Sequence, residues 1–334
     1  MALSSQPAIP IQPPPYLLSL ATMEWLLEKG HVRLNPASPF GFLAVAARHS
    51  TPEEQEASAR RELGRRPPSS LLTALAIVAR PDARIRVTTQ VSNESPRQTT
   101  LWRHGSSVAE AGFNTEGFLF GAPTALATLE SLLIEQVRSE APDQRVTERV
   151  FAPTALGLLT PLWPHVACDI GARVPVADVL STCQRIGADA DTAQTLVSGL
   201  VESGLVVKND AALSLAEGLA PWLAALWSGE RFEVEVTPLP DGDLDAAHLL
   251  RRSKRLLFVG PTGQRIVSRA IDATSLDEIP LGVPLRTDRP EPLVALSYLD
   301  DKSLARVLGP LLTFYETEPR DNVSTALAAA DLPV

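Results

Sequence analysis

The sequence predicts an α/β (α+β) fold: two duplicated helix–strand–hairpin–helix units in a pseudo-twofold arrangement, with a helical, winged-helix-like segment between them. Three observations predict it. Leu71–Ala79 is an apolar run of helical length, and after a short turn Arg84–Val91 alternates with a period of two. Leu219–Trp227 followed by Arg231–Thr237 repeats that order. Each pair is then followed by a strand–turn–strand and an apolar helix, Ala122–Val137 in the first instance and Asp301–Phe314 in the second.

Taken in order, residues 1–15 are rich in proline and read as an extended, mobile leader. Leu17, Leu18, Leu20, Met23, Leu26 and Leu27 suit one face of a helix over Tyr16–Gly30. His31–Leu34 reads as strand or loop, and Phe40–Arg48 as an Ala-rich helix. Ser50-Thr-Pro-Glu-Glu predicts a helix start over Glu53–Leu63: a hydroxyl cap, proline just inside, and carboxylates near the positive end of the dipole. Gly64 ends that helix and Ser69–Ala79 is the next. In the strand that follows, Ile85, Val87, Thr89 and Val91 share one face and Arg84, Arg86, Thr88 and Gln90 the other. Asn93–Arg97 reads as a loop, Thr99–Arg103 and Val108–Phe113 as a hairpin, and Phe118–Phe120 as a short run. The helix at Ala122–Val137 carries Leu126, Leu129, Leu132, Leu133 and Val137 as its stripe.

The second unit has Phe232, Val234 and Val236 on one face of its strand and Arg231, Glu233 and Glu235 opposite. Arg255–Val259 and Arg265–Ala270 flank Gly260-Pro-Thr-Gly263, a hairpin signal, and Val294–Tyr298 reads as a further strand. The expected domains are therefore a leader at 1–15, a first lobe at 16–139, a second lobe at 150–315 and a loose tail at 316–334. If the strands at 84–91 and 231–237 pair, Arg84 and Arg86 face Glu233 and Glu235 and fix the register; otherwise both faces are solvated. Within the second lobe, residues 174–218 give two helices (Val176–Cys183 and Asp189–Ser203) and a hairpin with Asn209-Asp210 at its tip, the order of a winged helix.

Composition narrows the function classes. With 45% hydrophobic residues in 334, a buried core is expected, and at 5% aromatics it must be mainly aliphatic. A net charge of -9 opposes a broad phosphate-binding surface. The 174–218 segment has Arg185 and Lys208 against Asp178, Asp189, Asp191, Glu202, Asp210 and Glu217, so a winged helix here suits protein docking better than DNA. Cys168 and Cys183 form neither a disulfide framework nor a metal-ligand spacing. The first lysine or arginine is Lys29, so no basic signal-peptide region is expected, and no stretch has the length to span a bilayer. A cytoplasmic location is expected.

Catalytic and metal motifs fail on chemistry. Gly260–Arg265 lacks the lysine and hydroxyl that complete a phosphate loop. Asp241-Gly-Asp-Leu-Asp245 has alternating carboxylates, but Ala246 stands where a calcium loop needs glycine and Arg252 where it needs a bidentate glutamate. His31, His49, His104, His165 and His248 have no metal-binding spacing. No catalytic residue, cofactor or metal site is assigned. What remains is interaction surface: the loop carrying Asn93, Glu94 and Arg97, and the hairpin carrying Trp102 and His104. Trp102 reads either as a core anchor or as an exposed contact.

Leu72–Val91 (helix, Arg-Pro-Asp turn, alternating strand), Leu101–Ala111, Phe118–Val137 and Ser303–Leu312 together resemble the plan of EspG-type chaperones, the cytosolic adaptors of type VII (ESX) secretion. The resemblance spans about two-thirds of the chain and lacks that family's Gly-Arg-Tyr-like strand ending. It implies a non-enzymatic adaptor that binds another protein, an export substrate, and shields its apolar tip, without cofactor, nucleic acid or membrane. A winged-helix transcriptional regulator and an unassigned enzyme are the alternatives. The oligomeric state is left open.

Overall fold

A computed structural model describes residues 16–29, 32–64, 67–91, 94–138, 148–151, 157–166, 169, 171–239, 253–260, 265–271 and 293–313. The expected leader, the tail, Asn93, His31, His248, Cys168 and Asp241–Asp245 lie outside them. In chain order the elements are β1 (Tyr16–Leu18), α1 (Leu20–Glu28), a 3-10 helix (Gly41–Ala44), α2 (Pro52–Leu63), α3 (Ser69–Ala79), β2 (Ala83–Gln90), β3 (Arg97–His104), β4 (Ser107–Asn114), β5 (Gly117–Phe120), β6 (Thr124–Ala125) and α4 (Leu126–Val137). They continue with β7 (Glu148–Phe151), α5 (Trp163–Val166), β8 (Val174–Pro175), α6 (Val176–Arg185), α7 (Ala190–Glu202), β9 (Val206–Asn209), β10 (Ala212–Leu215), α8 (Ala220–Trp227), β11 (Arg231–Pro238), β12 (Lys254–Val259), β13 (Ile266–Ile271), β14 (Leu293–Ser297) and α9 (Asp301–Thr313). Helices and antiparallel strands make an α+β fold.

Two compact units share the chain. The first takes in the described residues of Met1–Val137, Phe232–Leu256 and Asp301–Val334; the second takes in those of Arg138–Arg231 and Leu257–Asp300. The units thus interleave along the sequence, whereas the lobes read from it, 16–139 and 150–315, are contiguous.

In the first unit the strand order is β1-β5-β4-β3-β2-β11, with β6 beside β4. The alternation read in β2 sets its two faces: Ala83, Ile85 and Val87 are buried while Arg84, Arg86 and Thr88 are half-buried. The register places Ala83 opposite Arg103, Arg84 opposite Trp102 and Ile85 opposite Leu101. Trp102 is in turn opposite Ala109. On the Trp102 side, α1, α2, α3 and Phe40 close a core with Leu26, Leu63, Leu71, Phe118 and Phe120. Phe40 meets Phe118 and Phe120 edge-on, at centroid distances of 5.1 and 5.3 Å. On the opposite side, Arg103 bonds the Leu312 carbonyl and so holds the end of α9 over the sheet. Leu304, Val307, Leu308, Leu311 and Leu312 form the buried stripe of α9, as Leu129, Leu133 and Val137 do in α4.

The helix starts follow from local chemistry. Thr51 caps α2 in a full capping box with Glu54, with proline at the first turn, and Gly64 ends the helix at φ +65°. Glu62 of α2 accepts from the Ser19 amide (2.8 Å), and Glu24 of α1 accepts from the His49 and Ser50 amides (2.8 and 3.0 Å). Each helix therefore supplies a carboxylate to backbone amides beside the other's N-terminus.

Three expected elements differ. Tyr16–Leu18 is not helix but an edge strand on β5, and α1 starts only after the Ser19 cap. Phe40–Arg48 is not an Ala-rich helix. Asn35 and Ser38 side chains hold the amides of Ala37 and Phe40 (2.9 and 3.2 Å), giving successive turns that end in the 3-10 helix. Helix α4 begins at Leu126 rather than Ala122, because Thr124 and Ala125 pair with Val108 and Ser107.

The second unit has β14 between β13 and β7, with Leu257–Val259 of β12 paired to β13. Strand β7, Glu148–Phe151, has no counterpart among the elements expected from the sequence. A separate sheet, β8-β10-β9, accompanies α6 and α7. Asp189 caps α7 through the Thr192 amide (2.7 Å), and Asp210, at the hairpin tip, has φ +54°. Val179, Cys183, Val197 and Leu200 are buried, and Trp222 packs on Tyr298 at 4.6 Å between ring centroids.

Two stability predictions follow from the first unit. Arg103→Met leaves the Leu312 carbonyl without its donor and Asp82 without its cation, and lowers stability by about 2–3 kcal/mol in urea denaturation. Burial raises the Glu24 pKa, but the His49 and Ser50 hydrogen bonds and the nearby Arg48 outweigh it and hold the carboxyl below its ordinary value. Its stabilising contribution is therefore present above the ordinary glutamate pKa and lost as pH falls through the lowered one. Glu24→Gln destabilises by about 2 kcal/mol at pH ~7, and the gap from wild type closes in acid urea titrations.

Candidate functional site

The singled-out residues that the structure describes, Glu94, Arg97, Trp102 and His104, do not form one surface. Glu94 is exposed and its carboxylate lies 3.0 Å from Arg97, at the start of β3. His104 sits at the other end of that strand, about 23 Å away at the usual rise per residue. It is exposed, but its Nδ1 is 2.6 Å from the Arg80 carbonyl, which pins the hairpin to the turn after α3. Asp82 in the same turn accepts from Arg103 Nε (2.6 Å) and from the Gly105 amide (2.7 Å). Trp102 is 9% exposed and belongs to the core beneath α3, so it is the anchor and not the exposed contact.

The structure brings forward a different apolar surface. Phe42 and Phe113 stand 48% and 66% exposed with their rings 6.0 Å apart, and Val45, three residues after Phe42, is 89% exposed. The pair rests on a rigid base. Phe42 follows Phe40, which is fully buried against Phe118 and Phe120, and Phe113 is the register partner of Phe118. Gly41 permits the close turn, since a Cβ there would come within 2.7 Å of the Pro36 carbonyl oxygen. Two adjacent exposed aromatics held on a packed base are what a partner's apolar surface recognises. Sequence reasoning missed them because it drew Phe40–Arg48 as a helix and Phe113 as an ordinary strand residue.

The second feature is charged. Arg86 Nη1 lies 3.1 Å from Glu235, and Arg255 Nη1 lies 3.2 Å from Glu233. Arg84 Nη2 is 3.5 Å from the Thr237 hydroxyl, and the Leu239 amide donates to the Asp82 carbonyl (2.8 Å). The partners run in opposite order, 82 with 239, 84 with 237 and 86 with 235, so β2 and β11 are antiparallel neighbours; of the expected contacts between their charges Arg86 with Glu235 forms, whereas Glu233 meets Arg255 of β12 and Arg84 meets Thr237. Burial, and then repulsion from Arg86, push the Arg84 pKa below its ordinary value, with Glu235 acting against them.

Among the described residues no group of three or more His, Cys, Asp or Glu is placed to hold a metal. Burial pushes the Cys183 thiol pKa up, which lowers its thiolate fraction. The chemistry that these surfaces offer is recognition: an apolar aromatic face and a row of guanidinium and carboxylate groups.

If the charges set the strand register, Arg86→Ala and Glu235→Ala are coupled. A double-mutant cycle measured by urea unfolding is expected to give about 0.5–1 kcal/mol, the range of a partly exposed pair.

Set against known proteins, the chain matches no family model, and no curated protein is significantly similar to it.

Proposed function

We propose that this protein is a non-enzymatic cytosolic adaptor of the secretion-chaperone type, which binds another protein through the Phe42–Phe113 face. The observation that carries the reading is that aromatic pair, exposed on a rigid base in the first unit. Burying two such rings against an apolar tip of a partner supplies roughly 2–3 kcal/mol per ring, enough to make them binding anchors. A type VII secretion-associated chaperone of the EspG kind is the family reading. It is supported by the element order α3–β2–hairpin against α8–β11–hairpin, which also supports an internal duplication. Location in the cytosol accords with the described residues, in which no helix is long and apolar enough to cross a membrane.

A second reading, a winged-helix regulator, is favoured by the order β8, α6, α7, β9, β10 and their three-stranded sheet. Charge weighs against it: α7, which would enter the major groove, has no lysine or arginine, and it is preceded by Asp189 and includes Asp191.

Affinity purification from native cytosol tests both readings. A stoichiometric protein partner is expected with the wild type, and Phe42→Ser/Phe113→Ser should weaken it by roughly a thousandfold or more in affinity while far-ultraviolet circular dichroism stays unchanged. Retention of the partner by the double variant would sink the aromatic-face reading. Salt-sensitive retention of DNA would overturn the adaptor in favour of the regulator.

A further inference from the structure

The geometry points to a carboxylate-binding site on the sheet of the first unit, built around Arg84 with Trp102, Thr237 and Ser253. Among the described residues of the first unit, the charges on this face are two arginines from β2, Arg84 and Arg86, two glutamates from β11, Glu233 and Glu235, and Arg255 from β12. Two ion pairs form, Arg86 with Glu235 and Arg255 with Glu233, at 3.1 and 3.2 Å. Arg84 is left over. No carboxylate among the described residues lies within salt-bridge distance of it, and its one hydrogen bond is the long contact to Thr237.

Three buried donors without an acceptor lie at Arg84 and beside it. Its Nε is buried without a hydrogen-bond partner, as are Nε of Arg86 and Nε1 of Trp102. Trp102 is the register partner of Arg84 on β3, so its indole stands on the same face, one strand away. The Thr237 hydroxyl, buried on β11, is 2.9 Å from the Ser253 hydroxyl. A half-buried guanidinium flanked by an unpartnered indole N–H and by the Thr237 hydroxyl presents several donors to an anion. A buried donor whose bond is unmade is costly to the fold, and an incoming oxygen relieves that cost.

Charge selects the class of anion. Among these described charges one positive charge is uncompensated, and Glu235 stands beside it, so a singly charged, planar carboxylate fits and a doubly charged phosphate is repelled. The guanidinium fork suits the same geometry. The carboxylate has two possible sources, a free small acid or an acidic side chain of a bound protein. This site lies on β2 and β11, not on the 3-10 helix and the end of β4 that hold the aromatic pair, so it stands independently of the adaptor reading.

The test is a titration of the whole protein followed by 1H–15N NMR of its indole and arginine Nε–H signals, with the Trp102 indole peak assigned by its loss in Trp102→Phe. The probes are acetate, inorganic phosphate and a short blocked peptide carrying one glutamate. Saturable movement of the Trp102 peak with acetate or with the peptide is expected. The affinity should fall roughly tenfold or more in Arg84→Gln, and less in Arg84→Lys, which keeps the charge but loses the fork. Arg60→Gln, on the surface of α2, should leave it unchanged. If Arg84→Gln does not fold, Thr237→Val removes a hydroxyl at constant shape and should weaken binding. Acetate as tight as the peptide identifies a free acid as the ligand; a peptide about tenfold tighter identifies a protein side chain. The site is refuted if neither carboxylate moves the indole peak saturably, if folded Arg84→Gln binds as wild type, or if phosphate binds as tightly as acetate.

Discussion

The first unit depends on the burial of one guanidinium. Arg103 sits in β3 among apolar residues, where a charge removed from water costs several kcal/mol unless it is paired and hydrogen-bonded. It finds Asp82 at 2.6 Å in the turn before β2, and the last turn of α9 through the Leu312 carbonyl. Asp82 then reaches further. Its amide donates to the Arg103 carbonyl (2.8 Å), its carboxylate holds the Gly105 amide, and its carbonyl accepts from Leu239 after β11. Four segments that are far apart in sequence meet on these two residues. A buried pair of this kind adds little net stability over an apolar substitute; its effect is to allow one arrangement and penalise the others. Hydrophobic burial drives the sheet together, and Arg103 with Asp82 says which turn, which hairpin and which helix end must meet.

The functional surfaces inherit that register. With Leu239 fixed to Asp82, antiparallel pairing puts position 237 beside 84 and 235 beside 86. A slip by one residue would turn Phe232, Val234 and Val236 onto the charged side. The charge asymmetry between the two strands, arginine on β2 and glutamate on β11, thus has a structural reason: the strands are neighbours, and like charges directly opposite would oppose the sheet. The same register leaves Arg84 beside a threonine instead of a glutamate.

Much of the fold was legible where the controlling physics is local. Thr51, Pro52, Glu54 and Gly64 bound α2 through their own side chains and backbone, and the alternation of Ala83 to Thr88 reports the two faces of β2 directly. The sequence misleads where a distant contact wins. Tyr16–Leu18 has helical periodicity but gains a strand partner in β5, and Pro123 marks no helix start because Thr124 and Ala125 are taken by β4. In β3, Leu101, Trp102 and Arg103 are all buried, since both faces of that strand are covered. Alternation therefore could not say that Trp102 is core. Of the site, the pairing of Arg86 with Glu235 was readable as an option from charge alone. The exposure of Phe42 and Phe113 was not, because an apolar residue at a strand end is left uncovered only by what the rest of the chain fails to place over it.

The aromatic pair and the arginine differ in what keeps them as they are. An exposed phenylalanine costs the folded chain little relative to the unfolded one, because both states leave the ring in water. Phe42 and Phe113 are thus compatible with a stable monomer and gain only when a partner covers them. A half-buried guanidinium that no carboxylate of the described residues pairs with is different, because the folded state has already given up its hydration. Neighbouring Arg86 adds repulsion to it. Such an arrangement persists because the strands around it are over-determined, by Asp82 and Leu239 at one end and the Arg86–Glu235 pair at the other. An acceptor placed there would recover what folding forfeited, whereas a neutral residue in place of Arg84 would remove both the cost and the recognition.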